Sequence, residues 1–259
     1  MTLDPSIAVQ RLTDAVRERK ATTPLTDDYG TFDSAFAYDV QAAVVAARVA
    51  SGSSVVGAKL GLTSEAKQRQ MKVDEPLYGW LTDDMRIEPG AAIETSRYIQ
   101  PRVEAEIAFL LGEDLEGADV GAVDVLAATE AVMPAIDVLD SRYAGYAFTL
   151  PDVIADNASS AGFITGASLT DPFGVDLRLV GVALEVNGIV RATAAGAAVL
   201  GHPASSVAWL VRALARRDEG LEAGMVVLSG ALTEAVAVSP GDCVVARVDR
   251  IGTVESPCR

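Results

Sequence analysis

Residues 101–109, Pro-Arg-Val-Glu-Ala-Glu-Ile-Ala-Phe, constrain the fold more than any other stretch of the chain. Val103, Ala105, Ile107 and Phe109 alternate with Arg102, Glu104, Glu106 and Ala108, the period of a strand with one face in a core. Glu104 and Glu106 therefore share the other face, with backbones roughly 6.5–7 Å apart and side chains able to converge on one point. Two carboxylates aimed at one point repel unless one is protonated or a cation sits between them. A hard divalent ion such as Mg²⁺ meets that need, because it takes oxygen ligands and keeps positions open for water or substrate. A strand with a solvated acidic face is the other reading of the same pattern.

The composition narrows what such a strand can serve. Across 259 residues there are 36 acidic and 21 basic side chains, a net charge of −15, which argues against nucleic acid and anionic membranes as partners. No apolar run is long enough to cross a bilayer, and Met1-Thr-Leu-Asp-Pro lacks the form of an export signal, so a soluble, cytoplasmic protein is expected. The two cysteines, Cys243 and Cys258, are not at metal-ligand spacing. His202 is the only histidine, so carboxylates and lysine must carry any acid–base chemistry.

Periodicity predicts helices over 4–20 and 39–51, then a strand from Val55 to Thr63 that contains Lys59. A lysine in a glycine-flanked apolar strand either snorkels to the surface or is a buried cation held by carboxylates. A short helix over 64–71 and a turn entering a strand at Leu77 follow. Residues 122–133 read as a helix ended by Pro134, and 134–139 as a buried strand with one acid, Asp137, that needs a cation or a hydrogen-bonding shell. The small polar residues of 140–143 and 150–160 read as loops lining a site. For Asp156 and Asn157, capping of the loop is the alternative to a ligand contact. An Asn187-Gly188 turn predicts a hairpin over 182–190, residues 204–217 an amphipathic helix, and the remainder strands. Tyr78, Trp80 and Trp209 read as core or pocket wall. The expected class is α+β: a helical region over 1–54, then a mostly antiparallel β body over 55–259.

Five segments in order, 57–64, 101–109, 134–137, 154–160 and 200–203, resemble the 4-oxalocrotonate decarboxylase and 2-oxopent-4-enoate hydratase family of the fumarylacetoacetate hydrolase superfamily. The resemblance implies a β-roll or sandwich body like the C-terminal part of that superfamily. It implies Mg²⁺ or Mn²⁺ held by Glu104, Glu106 and Asp137, with Lys59 as the catalytic cation. Asp137 stands where the family commonly has glutamate. It implies substrate contacts from Leu77, Arg142, Asp156, Asn157, Ser159 and Ser160, with Arg142 holding a carboxylate. Hydratases of the family carry an aspartate after the proline of the segment Glu75-Pro76-Leu77-Tyr78-Gly79. Leu77 cannot move a proton there, which favours the decarboxylase, whereas Gln100 departs from the histidine many decarboxylases have before Pro101. The implied reaction is metal-dependent loss of CO₂ from 2-oxohex-3-enedioate, a 2-oxo dicarboxylate, in aromatic meta-cleavage. The alternatives are hydration of 2-hydroxypenta-2,4-dienoate and a non-catalytic partner subunit. A homo-oligomer and a complex with a hydratase are the implied assemblies.

Overall fold

The computed structural model describes residues 4–64, 68–69 and 73–259. The short helix expected over 64–71 lies largely outside the described residues. The chain begins with α1 (Pro5–Glu18), α2 (Leu25–Tyr29) and α3 (Ser34–Ala50). Asp4 and Asp33 accept from the backbone of Ser6 and Phe36, satisfying amides that no helical carbonyl can reach. Ala8, Leu12, Leu25, Ala37 and Val40 are buried together with Tyr143, Val153, Ile154 and Ala155, so these helices cover the middle of the chain.

The strands are β1 (Val55–Gly61), β2 (Leu77–Thr82), β3 (Arg102–Leu111), β4 (Thr129–Leu139), β5 (Ser160–Thr165), β6 (Gly181–Val186), β7 (Ile189–Ala195), β8 (Val226–Leu228), β9 (Val236–Ala237), β10 (Cys243–Val248) and β11 (Gly252–Pro257). Helices α4 (Ala122–Ala128), α5 (Leu150–Ala155) and α6 (Pro203–Ala215) lie between them. One sheet runs β2-β1-β8-β3-β4-β5, with β9 also on β3; the second runs β11-β10-β6-β7. Among these strands only the β1–β8 pairing is parallel, so the expected α+β class with a mostly antiparallel body holds. The Asn187-Gly188 hairpin forms as expected, both turn residues having positive φ (56° and 74°).

Val103, Ala105, Ile107 and Phe109 of β3 and Ile136 and Val138 of β4 pack toward Leu184, Val244 and Ala246 of the second sheet. Val207, Leu210, Val211 and Leu214 of α6 join the same core. The alternation on β3 thus sends its apolar side chains into the core and leaves Glu104 and Glu106 on the opposite face.

Two expectations fail. The helix predicted over 122–133 stops at Ala128, and 129–139 form one long strand through Pro134. Pairing with β3, and the bridge of Val132 to Thr170 on the other side, override the helical spacing of Ala131 and Val132, while Leu126 and Ala127 stay in the helix. Pro134 is tolerated because its carbonyl, which accepts from Gly166, lies on the β5 side just past the last β5 pair, where no ladder donor is required. The second departure is at 150–160, which is not a loop. Pro151 sits in the first turn of α5, and Asp152 caps it by accepting from the Thr149 amide (2.9 Å) and hydroxyl (2.6 Å). A tight turn at 157–159 then leads into β5.

Candidate active site

The β3–β4 register places Glu104 directly opposite Asp137, with Glu106 two residues further along the same face. One carboxylate oxygen from each of Glu104, Glu106 and Asp137 falls within 4.8 Å of the others. Lys59, from β1, is only 2 % exposed and its Nζ donates to Asp137 Oδ2. Of the two readings left open by the sequence, Lys59 is the buried cation. Gly230 donates its amide to Glu106 Oε2 at 2.7 Å. The positive φ of Gly230 (105°) and the closeness of Thr63, whose Oγ1 would lie 2.3 Å from an added Cβ, explain why no side chain stands there.

Burial, and next the charge of Asp137, hold the Glu106 carboxyl well above the ordinary range; Lys59 opposes them and Glu104 adds to them. Glu106 Oε1 is buried without a hydrogen-bond partner among the described residues. Three clustered oxygen donors, one of them costly to ionise alone, form a donor set that suits a hard divalent ion.

A cavity of about 300 Å³ opens over this cluster, with Lys59, Glu104, Leu77, Arg102, Tyr146 and Ser159 among its lining residues. Of the residues expected to contact substrate, Leu77 and Ser159 line this cavity. Arg142, Asp156, Asn157 and Ser160 border instead a second cavity, of about 530 Å³, between the body and α1 and α3. Arg142, expected to hold a substrate carboxylate, is buried. Its Nε and Nη2 donate to the carboxylate and carbonyl of Asp156, and its Nη1 to the carbonyls of Asp140 (2.8 Å) and Ser160 (3.1 Å). Burial pushes Asp156 up to about 6 in spite of that guanidinium. Asn157 spends its amide on Trp80, accepting from the backbone N–H (2.8 Å) and donating to the carbonyl (2.9 Å).

These buried groups hold an unusual backbone. Asn157, Ala158 and Ser159 have φ of 50°, 55° and 55°, three consecutive left-handed residues, a conformation costing roughly 1–2 kcal/mol at each ordinary L-residue. The turn presses on β2 where Gly79 leaves room: an added Cβ would lie 2.5 Å from the Asn157 carbonyl oxygen. Arg142 and Asn157 thus position the turn from behind, while Ser159 reaches the cavity and bonds back to Asp156 at 3.2 Å.

Sequence reasoning missed Arg102, Tyr146 and Phe148, all in the cavity wall. The signal for Arg102 was the β3 alternation itself, which puts it on the face of Glu104 and Glu106.

A sheet of this order carrying an acid cluster above its core defines a class of carboxylate-lined, metal-site β-fold enzymes. The chain belongs to the fumarylacetoacetate hydrolase family, whose C-terminal model matches residues 44–259. A 4-oxalocrotonate decarboxylase of Pseudomonas sp. strain CF600 is 46 % identical over 232 residues, covering 90 % of this chain and 88 % of the relative. A 2-keto-4-pentenoate hydratase of Paraburkholderia xenovorans LB400 is 41 % identical over 249 residues, covering 96 % and 93 %. The solved 4-oxalocrotonate decarboxylase from Pseudomonas putida G7, complexed with magnesium and adipate, superposes with a TM-score of 0.95 at 40 % identity, over 100 % of this chain and 99 % of that one.

Proposed function

We propose that the protein is a divalent-metal-dependent decarboxylase that converts 2-oxohex-3-enedioate (4-oxalocrotonate) to 2-hydroxypenta-2,4-dienoate and CO₂ in aromatic meta-cleavage. The observation that carries the reading is the buried group Glu104, Glu106, Asp137 and Lys59, of which Lys59 and Glu104 line a cavity that has Leu77 at position 77 rather than an acid. Near-full-length similarity to decarboxylases supports it.

Glu104, Glu106 and Asp137 would hold Mg²⁺ or Mn²⁺. When bound, the ion supplies Lewis acidity to the 2-oxo acid end of the substrate. The C5–C6 bond breaks, CO₂ leaves, and its electron pair passes through the conjugated carbons to the C2 oxygen. Lys59 Nζ stabilises that oxygen as it gains charge and gives it a proton, leaving the dienol. Such a site accelerates the reaction chiefly by stabilising charge that develops only toward the transition state. Ser159 orients the substrate, and Leu77 closes the wall without offering a group that could deliver water to the product.

The test is CO₂ release from 2-oxohex-3-enedioate by the purified chain after chelation, with and without added Mg²⁺. Release only with metal is the expected result. Direct formation of 4-hydroxy-2-oxopentanoate from 2-hydroxypenta-2,4-dienoate, with no CO₂ from the dicarboxylate, favours the hydratase. A chain inert toward both with Mg²⁺ present favours a non-catalytic partner subunit. Assembly into a homo-oligomer, association with a hydratase and a cytoplasmic location belong to the same proposal, and sedimentation of the chain with and without a hydratase tests the first two. Among the described residues no helix is long and apolar enough to cross a membrane.

A further inference from the structure

We infer that Arg102 receives the distal carboxylate of the substrate and so selects dicarboxylates over monocarboxylates, an inference that rests on the decarboxylase reading of this site. Arg102 begins β3 and lies two residues before Glu104 on the same face, so its backbone is roughly 6.5–7 Å further along the cavity. Opposite it on β4 is Leu139, which lines the same cavity. Its guanidinium carbon sits 4.0 Å from the centroid of the Tyr146 ring. Tyr146 is itself fixed, its hydroxyl donating to the Gln100 carbonyl at 3.3 Å and the preceding Gly145 amide to Gln100 Oε1 at 3.1 Å. A stacked guanidinium keeps its N–H donors in the plane of the group, where they suit a carboxylate, and stacking limits the freedom lost on binding.

Charge balance gives Arg102 its task. Three acids and Lys59 leave two negative charges at the cluster, which a divalent ion cancels. A doubly anionic substrate then brings one carboxylate to the ion and a second that needs another cation. Lys59 already serves Asp137. Arg102, the other cation lining the cavity among the described residues, makes no salt bridge or hydrogen bond there.

The reaction sets the kinetic signature. The distal carboxylate is the group lost as neutral CO₂, so a cation holding it binds the ground state better than the transition state. Losing that contact therefore raises KM while leaving kcat unchanged or higher.

The experiment compares wild type with Arg102→Gln and Arg102→Lys. Calorimetry in Mg²⁺ reads the binding of 2-oxoadipate and 2-oxohexanoate, which differ only in the distal carboxylate. Wild type is expected to bind the dicarboxylate about 10- to 100-fold more tightly, the factor of a charge-assisted hydrogen bond. R102Q should lose that preference while keeping its affinity for 2-oxohexanoate, and R102K should retain part of it. The KM for 2-oxohex-3-enedioate should rise by a similar factor in R102Q. A preference absent in wild type, or retained in R102Q, whether at unchanged affinities or because both acids weaken equally, overturns the inference. A wild type that releases no CO₂ yet shows the Arg102-dependent preference sinks the decarboxylase reading and leaves the inference standing. CO₂ release by wild type together with an unchanged preference in R102Q does the reverse.

Discussion

Lys59 on β1 and Asp137 on β4 form a buried ion pair although β8 and β3 lie between their strands. In a flat sheet three strand spacings would separate the backbones by about 14 Å, more than the two extended side chains and their contact span. The pair therefore requires a sheet that curls toward the site, and the short β8, which ends at Leu228, lets the chain leave the sheet just before Gly230 meets Glu106.

Replacing Lys59 by Met should remove the cation that contacts the acids. Turnover is expected to fall by about 10²–10³, the loss typical of a group that stabilises developing charge. Metal-free K59M should also melt below metal-free wild type, and Mg²⁺ should raise its melting temperature more than it raises that of wild type. Calorimetric melting with and without Mg²⁺ checks this; equal shifts in both proteins would count against the pairing.

Glu106→Gln removes one oxygen charge from a fully buried position. Mg²⁺ affinity and turnover should drop together, on the order of tenfold or more, by analogy with losses at groups supporting metal ligands. Mg²⁺ titration calorimetry alongside CO₂ release reads both, and unchanged activity would rule out Glu106 as a ligand.

Arg142→Met tests the support behind the turn. Burial already pushes Asp156 up to about 6, above the unfolded value of roughly 3.9. A carboxyl raised in the folded state costs stability fully above its folded pKa, and that cost disappears as the pH falls toward its unfolded value. Without the guanidinium that lowers it, Asp156 should rise further and move the window toward neutrality. R142M is therefore expected to lose about 3–5 kcal/mol near pH 8, as when one partner of a buried pair is removed, and visibly less at pH 5.5. Urea unfolding across that range measures it. A loss that grows as the pH falls would contradict the assignment.

Leu77→Asp places a carboxylate in the cavity wall at a position only 2 % exposed. Repulsion of the dianionic substrate should raise KM for decarboxylation, and product analysis by NMR should show 4-hydroxy-2-oxopentanoate if an acid there is what water addition lacks. Decarboxylation kinetics identical to wild type would remove Leu77 from the wall.

Local pattern made the acid strand readable. Alternation on β3 separates core from site without help from the rest of the chain, and Asp137 stood out as one acid among Ile136, Val138 and Leu139. Lys59 stayed ambiguous because its fate depends on Asp137, 78 residues away. The same limit explains Arg142: the sequence shows a cation near small polar residues, while only the folded chain turns it onto Asp156. At 129–133 helical spacing and strand pairing competed, and pairing with β3, backed by the Val132–Thr170 bridge, won.

The hydrogen atom at position 79, where other residues carry a methyl or more, has a consequence for redesign. Ser160 Oγ as well as the Asn157 carbonyl would collide with any added carbon, at 2.9 and 2.5 Å. Growth of a side chain at that point would lift the turn bearing Ser159 and distort the cavity rather than reshape it. Efforts to admit bulkier ligands are better directed at Leu77 and Phe148, whose trimming leaves that seam closed.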